Sequence, residues 1–327
     1  MTISKFSFPT TIHFGPGVRR MVADHLKAED IKRPLVVTDR GIAPLPLLAD
    51  FVASLSGLDA GVFSGIWGNP VRSQVREGVA YLTLDDPPAN TYTHEMMRQI
   101  DESILKARFD KDVHVIVLTG TGEKMFCAGA NINMLKAADP TFKYYFCLHA
   151  NETLSRLEQT PKLVIAALNG NTVGGGLEIA MAADLRIAKA GGSKFGLPEV
   201  SLGVLPGTGG TQRLVRITGK SRAIELMTTG RLFGLEEAEK LGLVDMTLPA
   251  EGFMDKVHEY ARQFCPPNKA ARAVGRIKRS VQSGAEIPFE SALTLERELQ
   301  QQLFQSEDAK EGLAAYVEKR APQFKAN

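Results

Sequence analysis

The segment LVIAALNGNTVGGGLE (163–178) constrains the fold more than any other part of the chain. Leu163–Leu168 is an unbroken apolar run, read as a strand. Asn169-Gly170 interrupts it, and Gly174-Gly175-Gly176 then opens a second element, read as a helix from about Leu177 to Ala183, with Glu178 near its start. Glycines there permit a sharp bend or the close approach of a ligand to the backbone. The first N–H groups of such a helix have no partner within it and sit at the positive end of its dipole. The turn is therefore suited to hold a developing oxyanion. A tight strand-to-helix turn without any ligand accounts for the same glycines, and this segment alone does not decide between the two.

The surrounding pattern alternates between strand and helix. TTIHFG closed by Gly15-Pro16-Gly17, PLVVT (34–38) and AGVFSGI (60–66) read as strands, with helices over Val18–Lys27 and Leu45–Leu55. Gly68-Asn69-Pro70 is a strong breaker, and a new unit is expected to begin near Val75. There VAYLTL (79–84) and VHVIVLTG (113–120) read as strands. Thr93–Ala107 reads as a helix with Met96, Ile100 and Ile104 on one face. Helices are expected over 144–158, 209–229, 235–241, 252–264, 268–283, 289–305 and 307–320, the last capped by Ser306. LRIAKA (185–190) reads as a further strand. The whole reads as α/β with a helical C-terminal region, in a chain whose 327 residues suggest more than one core.

Composition narrows the function classes. Hydrophobic content of 44% and charged content of 23% describe an ordinary globular chain. A net charge of +2 gives no basis for a nucleic-acid partner. Arg272, Arg276, Lys278 and Arg279 cluster locally, as a solvated helix face or as a site for an anionic ligand or a neighbouring subunit. Cys127, Cys147 and Cys265 are too few and too widely spaced for a zinc knuckle or a disulfide scaffold. No run approaches the roughly 18 apolar residues of a membrane span, and the first residues do not form a signal peptide. A cytoplasmic location is expected. Gly219-Lys220-Ser221 ends like a phosphate-binding loop, but Leu214 stands where that loop needs glycine. No G-x-S-x-G or H-E-x-x-H is present.

A second segment carries chemistry. FGLPEVSLGVLPGTGGTQRL (195–214) puts Glu199 among prolines and glycines. It reads as a surface charge, or as a carboxyl partly desolvated by Pro198, Val200 and Leu202 and so raised in pKa for proton transfer.

Together Leu163–Glu178, Phe195–Leu214, FCAGANI (126–132), DDPPAN (85–90) and SEDAKEGLAAYVEKRAPQF (306–324) resemble the crotonase (enoyl-CoA hydratase/isomerase) superfamily, in its order and spacing, from about Val75 to the C-terminus. The resemblance implies a spiral of ββα units with a helical C-terminal region, assembled as a homotrimer or homohexamer, and an acyl-CoA thioester substrate without further cofactor or metal. It implies that backbone N–H groups of Ala130 and Gly175 hold the thioester oxygen. Glu178 and Glu199 would be the catalytic carboxylates and Gly207 would help place a water. Ala89, Ala128, Asn131 and Ile132 would line the CoA path. Tyr316 and Lys319 would meet CoA bound to a neighbouring subunit. Ala128-Gly129-Ala130-Asn131 departs from the family's A-G-A-D, which leaves the backbone donor intact and puts finer loop or CoA contacts in question. The family's usual first strand before VAYLTL is not evident. Instead Lys5 to about Val75 resembles the start of an iron-dependent alcohol dehydrogenase, without its phosphate loop or metal-binding residues.

The expected organisation is a partial α/β segment over 1–74, an acyl-CoA-binding core over 75–265 and a helical, oligomer-forming region over 266–327. The expected activity is enoyl-CoA hydration, with isomerisation as the near alternative. An NAD-dependent alcohol dehydrogenase and a non-catalytic binding module are the alternatives from other classes.

Overall fold

The computed structural model describes residues 4–8, 10–14, 17–39, 45–66 and 71–327. The expected breakers Gly15-Pro16, Arg40-Gly41 and Gly68-Asn69-Pro70 lie outside these. The chain divides into two compact units, 1–68 and 69–327.

In the first unit β1 (Ser4–Phe8) and β2 (Thr10–Phe14) form an antiparallel pair. The helix expected over Val18–Lys27 is a 3-10 turn, Val18–Met21, followed by α1 (Val22–Ala28). β3 (Leu35–Asp39), α2 (Pro46–Ser54) and β4 (Gly61–Ile66) follow, and β3 pairs with β4 in parallel.

The second unit opens with β5 (Val71–Arg76) and β6 (Val79–Leu84), an antiparallel hairpin. The strand not evident in the sequence before VAYLTL is therefore present as β5. VRSQVR is too polar to announce itself as a strand. α3 (His94–Phe109) is capped by Thr93, whose hydroxyl accepts from the Met96 N–H. Then come β7 (Val115–Gly120), β8 (Met125–Cys127), α4 (Ile132–Ala137) and α5 (Pro140–Glu158), which starts earlier than expected because Asp139 caps it ahead of Pro140. β9 (Leu163–Leu168), β10 (Asn171–Val173), α6 (Gly175–Met181), β11 (Leu185–Lys189) and β12 (Phe195–Gly196) follow. The helix expected over 209–229 is broken at Gly219 (φ 79°) into α7 (Gly210–Thr218) and α8 (Lys220–Thr229). α9 (Leu235–Lys240), β13 (Met246–Leu248), α10 (Phe253–Arg262), α11 (Ala271–Gly284), α12 (Phe289–Phe304) and α13 (Glu307–Glu318) complete the chain. Ser306 caps α13 as expected.

The larger sheet has the order β13-β11-β9-β7-β6-β5 and is parallel apart from the β5–β6 hairpin. Alternate residues of its strands face two cores. Ala80, Leu82, Ile116, Leu118, Val164 and Ala166 join the larger one with α3 and α5. Val79, Val115, Val117, Ile165 and Ile187 pack instead against Phe253, Val257 and Ala261 of α10. Burial on both faces explains why VIVLTG and LVIAAL are almost wholly apolar. Lys278 is not part of a solvated basic face. It is buried, with Nζ 2.9 Å from Asp184 and donating to the carbonyls of Leu157 and Lys162, so it ties α11 to the core. Among the described residues no helix is long and apolar enough to cross a membrane.

Candidate active site

A second sheet, β12-β10-β8, assembles the site. Its strands are parallel, so their carboxyl ends lie along one edge. β8 runs into Ala128-Gly129-Ala130, β10 into the glycine triplet and β12 into Leu197-Pro198-Glu199. Segments remote in sequence meet because parallel strands deliver their following loops to the same side.

Two backbone donors are left free there. The Tyr92 N–H donates to Gly129 O and the Asn131 N–H to Tyr92 O, both at 2.9 Å, so Ala130 is bridged to Tyr92 in parallel register. Among the described residues the Ala130 N–H donates no hydrogen bond of its own. The N–H of Gly175 is likewise uncommitted, as first-turn amides are. Gly129, at φ 97°, lets the two approach: a Cβ there would lie 3.0 Å from the Gly175 nitrogen.

Two carboxyl groups stand beside them. Glu178 is 2% exposed, and its Oε1 accepts from Thr208 N (2.8 Å) and Gly210 N (2.6 Å). Burial raises its pKa against the opposing pull of those two N–H groups. Glu199 opens a 3-10 turn, Glu199–Leu202. Its Oε1 lies against the triplet, 3.1 Å from where a Gly174 Cβ would be, and its buried Oε2 has no hydrogen-bond partner among the described residues. Burial, and then the charge of Glu178, push Glu199 to about 7. The partly desolvated carboxyl expected at Glu199 is thus present, with its Oε2 buried, although Val200 is 44% and Leu202 59% exposed. Two coupled carboxyls of this kind share protons as a pair.

Ala89 accepts from the Ala128 N–H at 3.0 Å, which fixes the β8 loop beside the DDPPAN turn. Asn131 caps α4, its Oδ1 accepting from Met134 N at 3.1 Å, a task an aspartate would also perform. Ile132 is 55% exposed beside it. Gly207 makes no bond to Glu178, whereas its neighbour Thr208 does. Its carbonyl accepts from Asn151 at 3.5 Å. Tyr316 is 85% exposed on α13, and Lys319 ends that helix at φ 55°. Among the described residues no hydrogen bond or ion pair joins either to the glutamates. The sequence reading passed over Tyr92, Thr208 and Arg213. Arg213 makes a paired contact with Glu158 (2.7 Å to each oxygen) and donates to Thr208 O at 3.1 Å. Among the described residues no group of three or more His, Cys, Asp or Glu gathers as metal ligands.

Free amides that can receive negative charge stand beside two desolvated carboxyls that can move protons, an arrangement suited to chemistry that builds charge on an oxygen. A model of the enoyl-CoA hydratase/isomerase family matches residues 74–327, and one of iron-containing alcohol dehydrogenases matches residues 9–88. The chain is 37% identical over 247 residues to a short-chain-enoyl-CoA hydratase of Clostridium acetobutylicum, covering 75% of this chain and 94% of that protein. It is 37% identical over 262 residues to an (E)-benzylidenesuccinyl-CoA hydratase of Thauera aromatica, covering 78% and 99%. A crystal structure of an enoyl-CoA hydratase from Geobacillus kaustophilus superposes with a TM-score of 0.77 at 44% identity, covering 80% of this chain and 98% of that one. The chain belongs to the enoyl-CoA hydratase/isomerase family, and its second unit has the crotonase fold.

Proposed function

We propose that this chain is an enoyl-CoA hydratase, adding water reversibly to a trans-2-enoyl-CoA to give a 3-hydroxyacyl-CoA, a reaction of fatty-acid β-oxidation. The observation that carries the reading is the desolvated pair, Glu178 and Glu199, beside the free N–H groups of Ala130 and Gly175. Attack of water at C3 moves charge onto the thioester oxygen, where the two amides receive it. Ionised Glu178 takes the water proton as the hydroxyl bonds to C3. Protonated Glu199 gives its proton to C2. One water is consumed, and the pair ends with its proton moved from Glu199 to Glu178, to be reset by exchange. Isomerisation needs mainly one such carboxyl, so a complete pair favours hydration.

The CoA moiety is the only cofactor-like group required. Ala89, Ala128, Asn131 and Ile132 flank the oxyanion loop as its path, Gly207 borders the water position, and exposed Tyr316 and Lys319 are free to meet CoA on a neighbouring subunit. A homotrimer or homohexamer located in the cytoplasm is proposed on the family membership alone, since the apolar side of α12 around Leu299 is buried within this chain. Incubation with crotonyl-CoA tests the activity: the enoyl-thioester absorbance is expected to fall. An unchanged absorbance, or NADH formed from an alcohol and NAD instead, overturns the reading.

A further inference from the structure

We propose that Tyr92 and Thr208 form a buried tie that holds the oxyanion donors in register with Glu178, which makes them positioning residues for the hydration proposed above, on which this inference rests. The two residues are 116 positions apart and 2% and 3% exposed, and their hydroxyl oxygens are 2.9 Å apart.

Each end of the tie is committed to one half of the site. Tyr92 brackets Ala130 through its own N–H and carbonyl, bonded to Gly129 and Asn131. Its phenol hydroxyl occupies the space beside the Gly175 Cα where any Cβ would overlap it. One residue therefore touches the settings of both free amides. At the other end every polar group of Thr208 is used. Its N–H donates to Glu178, its carbonyl accepts from Arg213, and its hydroxyl meets Tyr92. Arg213 is itself anchored by Glu158.

Packing alone does not call for the phenol oxygen, because the ring would fill the same space without it. A buried hydroxyl is unfavourable unless bonded, and this one is bonded to the residue whose amide holds Glu178. Removing either hydroxyl leaves the other buried and unpaired, and Thr208 then relaxes away from its place. Its amide is one of two that favour the ionised form of Glu178, so the carboxyl should become harder to ionise.

The test uses the full chain with Tyr92→Phe, Thr208→Val, the double variant and Thr208→Ser. With crotonyl-CoA, each of the first two should lower kcat by about tenfold, since displacements of an ångström or less carry penalties up to about 100-fold, with KM within about twofold. The double variant should be no worse than either single one, because both break the same link. Thr208→Ser, which keeps the hydroxyl, should recover most of what Thr208→Val loses. The acidic limb of the pH–rate profile should move to higher pH in Tyr92→Phe, a shift that general loosening of the core does not produce. Full kcat with an unmoved profile in Tyr92→Phe, or fully additive losses, overturns the tie. Should Tyr92→Phe not fold, the comparison of Thr208→Ser with Thr208→Val decides. The ultraviolet absorbance of the enolate of bound acetoacetyl-CoA separates this inference from the hydratase reading. A wild-type chain that enolises this ligand but does not hydrate crotonyl-CoA sinks the hydratase reading. The tie then stands if Tyr92→Phe holds less enolate and falls if it holds as much. A wild-type chain that does neither overturns both.

Discussion

A buried carboxyl oxygen without a partner, such as Oε2 of Glu199, favours the neutral acid, because its charged form has lost water and gained no donor. With Glu178 repelling a second charge, Glu199 is left protonated up to about 7, which suits the proton-donor role proposed for it. kcat/KM for hydration should therefore fall as pH rises through about 7, where Glu199 loses that proton. Steady-state rates from acid to alkaline pH check this, and a flat profile would remove Glu199 from the acid role. The folded chain keeps this proton to about 7 while the unfolded carboxyl releases it near 4.5. The residue's contribution to stability is thus greatest at low pH and is lost as pH climbs through that window. Glu178→Gln and Glu199→Gln should each lower kcat by about 10²–10⁴-fold with modest change in KM. Near-normal turnover by either variant would exclude that side chain from proton transfer.

At the scale of elements, the glycine triplet and the Glu199 turn were legible in the sequence because each is a contiguous run whose chemistry lies in its own residues. The sheet that brings them together was not. β8, β10 and β12 are two or three residues long, too short for any periodicity to register. The Tyr92–Thr208 contact links residues that no local pattern connects. Lys278 was misread because helix spacing gives a face but not what packs on it, and Asp184 with two carbonyls was waiting there. The β10–α6 turn also has less room than glycine flexibility alone suggested. A methyl group at Gly175 overlaps the buried Tyr92 phenol. Gly175→Ala should lower kcat by about 10²–10³-fold, the usual loss for one oxyanion donor, and should also lower the melting temperature. Kinetics paired with thermal unfolding check both, and ordinary activity would disprove the role of this amide.

Over the whole molecule, the family match begins at residue 74, and the second compact unit begins at Asn69 and includes β5 with its partner β6. A chain starting at Asn69 should fold and keep hydratase activity, which expression and a crotonyl-CoA assay will show. Failure to fold would make the first unit a structural part of the enzyme. The crotonase unit has a further consequence for how activity is acquired. α6 spans only Gly175–Met181, begins with two glycines and is buried along its whole length. Isolated helices shorter than about 12–15 residues are marginal in water, and glycine weakens them further. This helix therefore cannot persist before the core closes around it. Its neighbours in the site arrive on parallel strands, whose pairing joins distant parts of the chain and is slow to form. Glu178 is thus set on an element that exists only as a product of complete folding. A partly folded chain, however rich in helix, would on the proposed reading lack its catalytic centre, and competence would arise together with the native state.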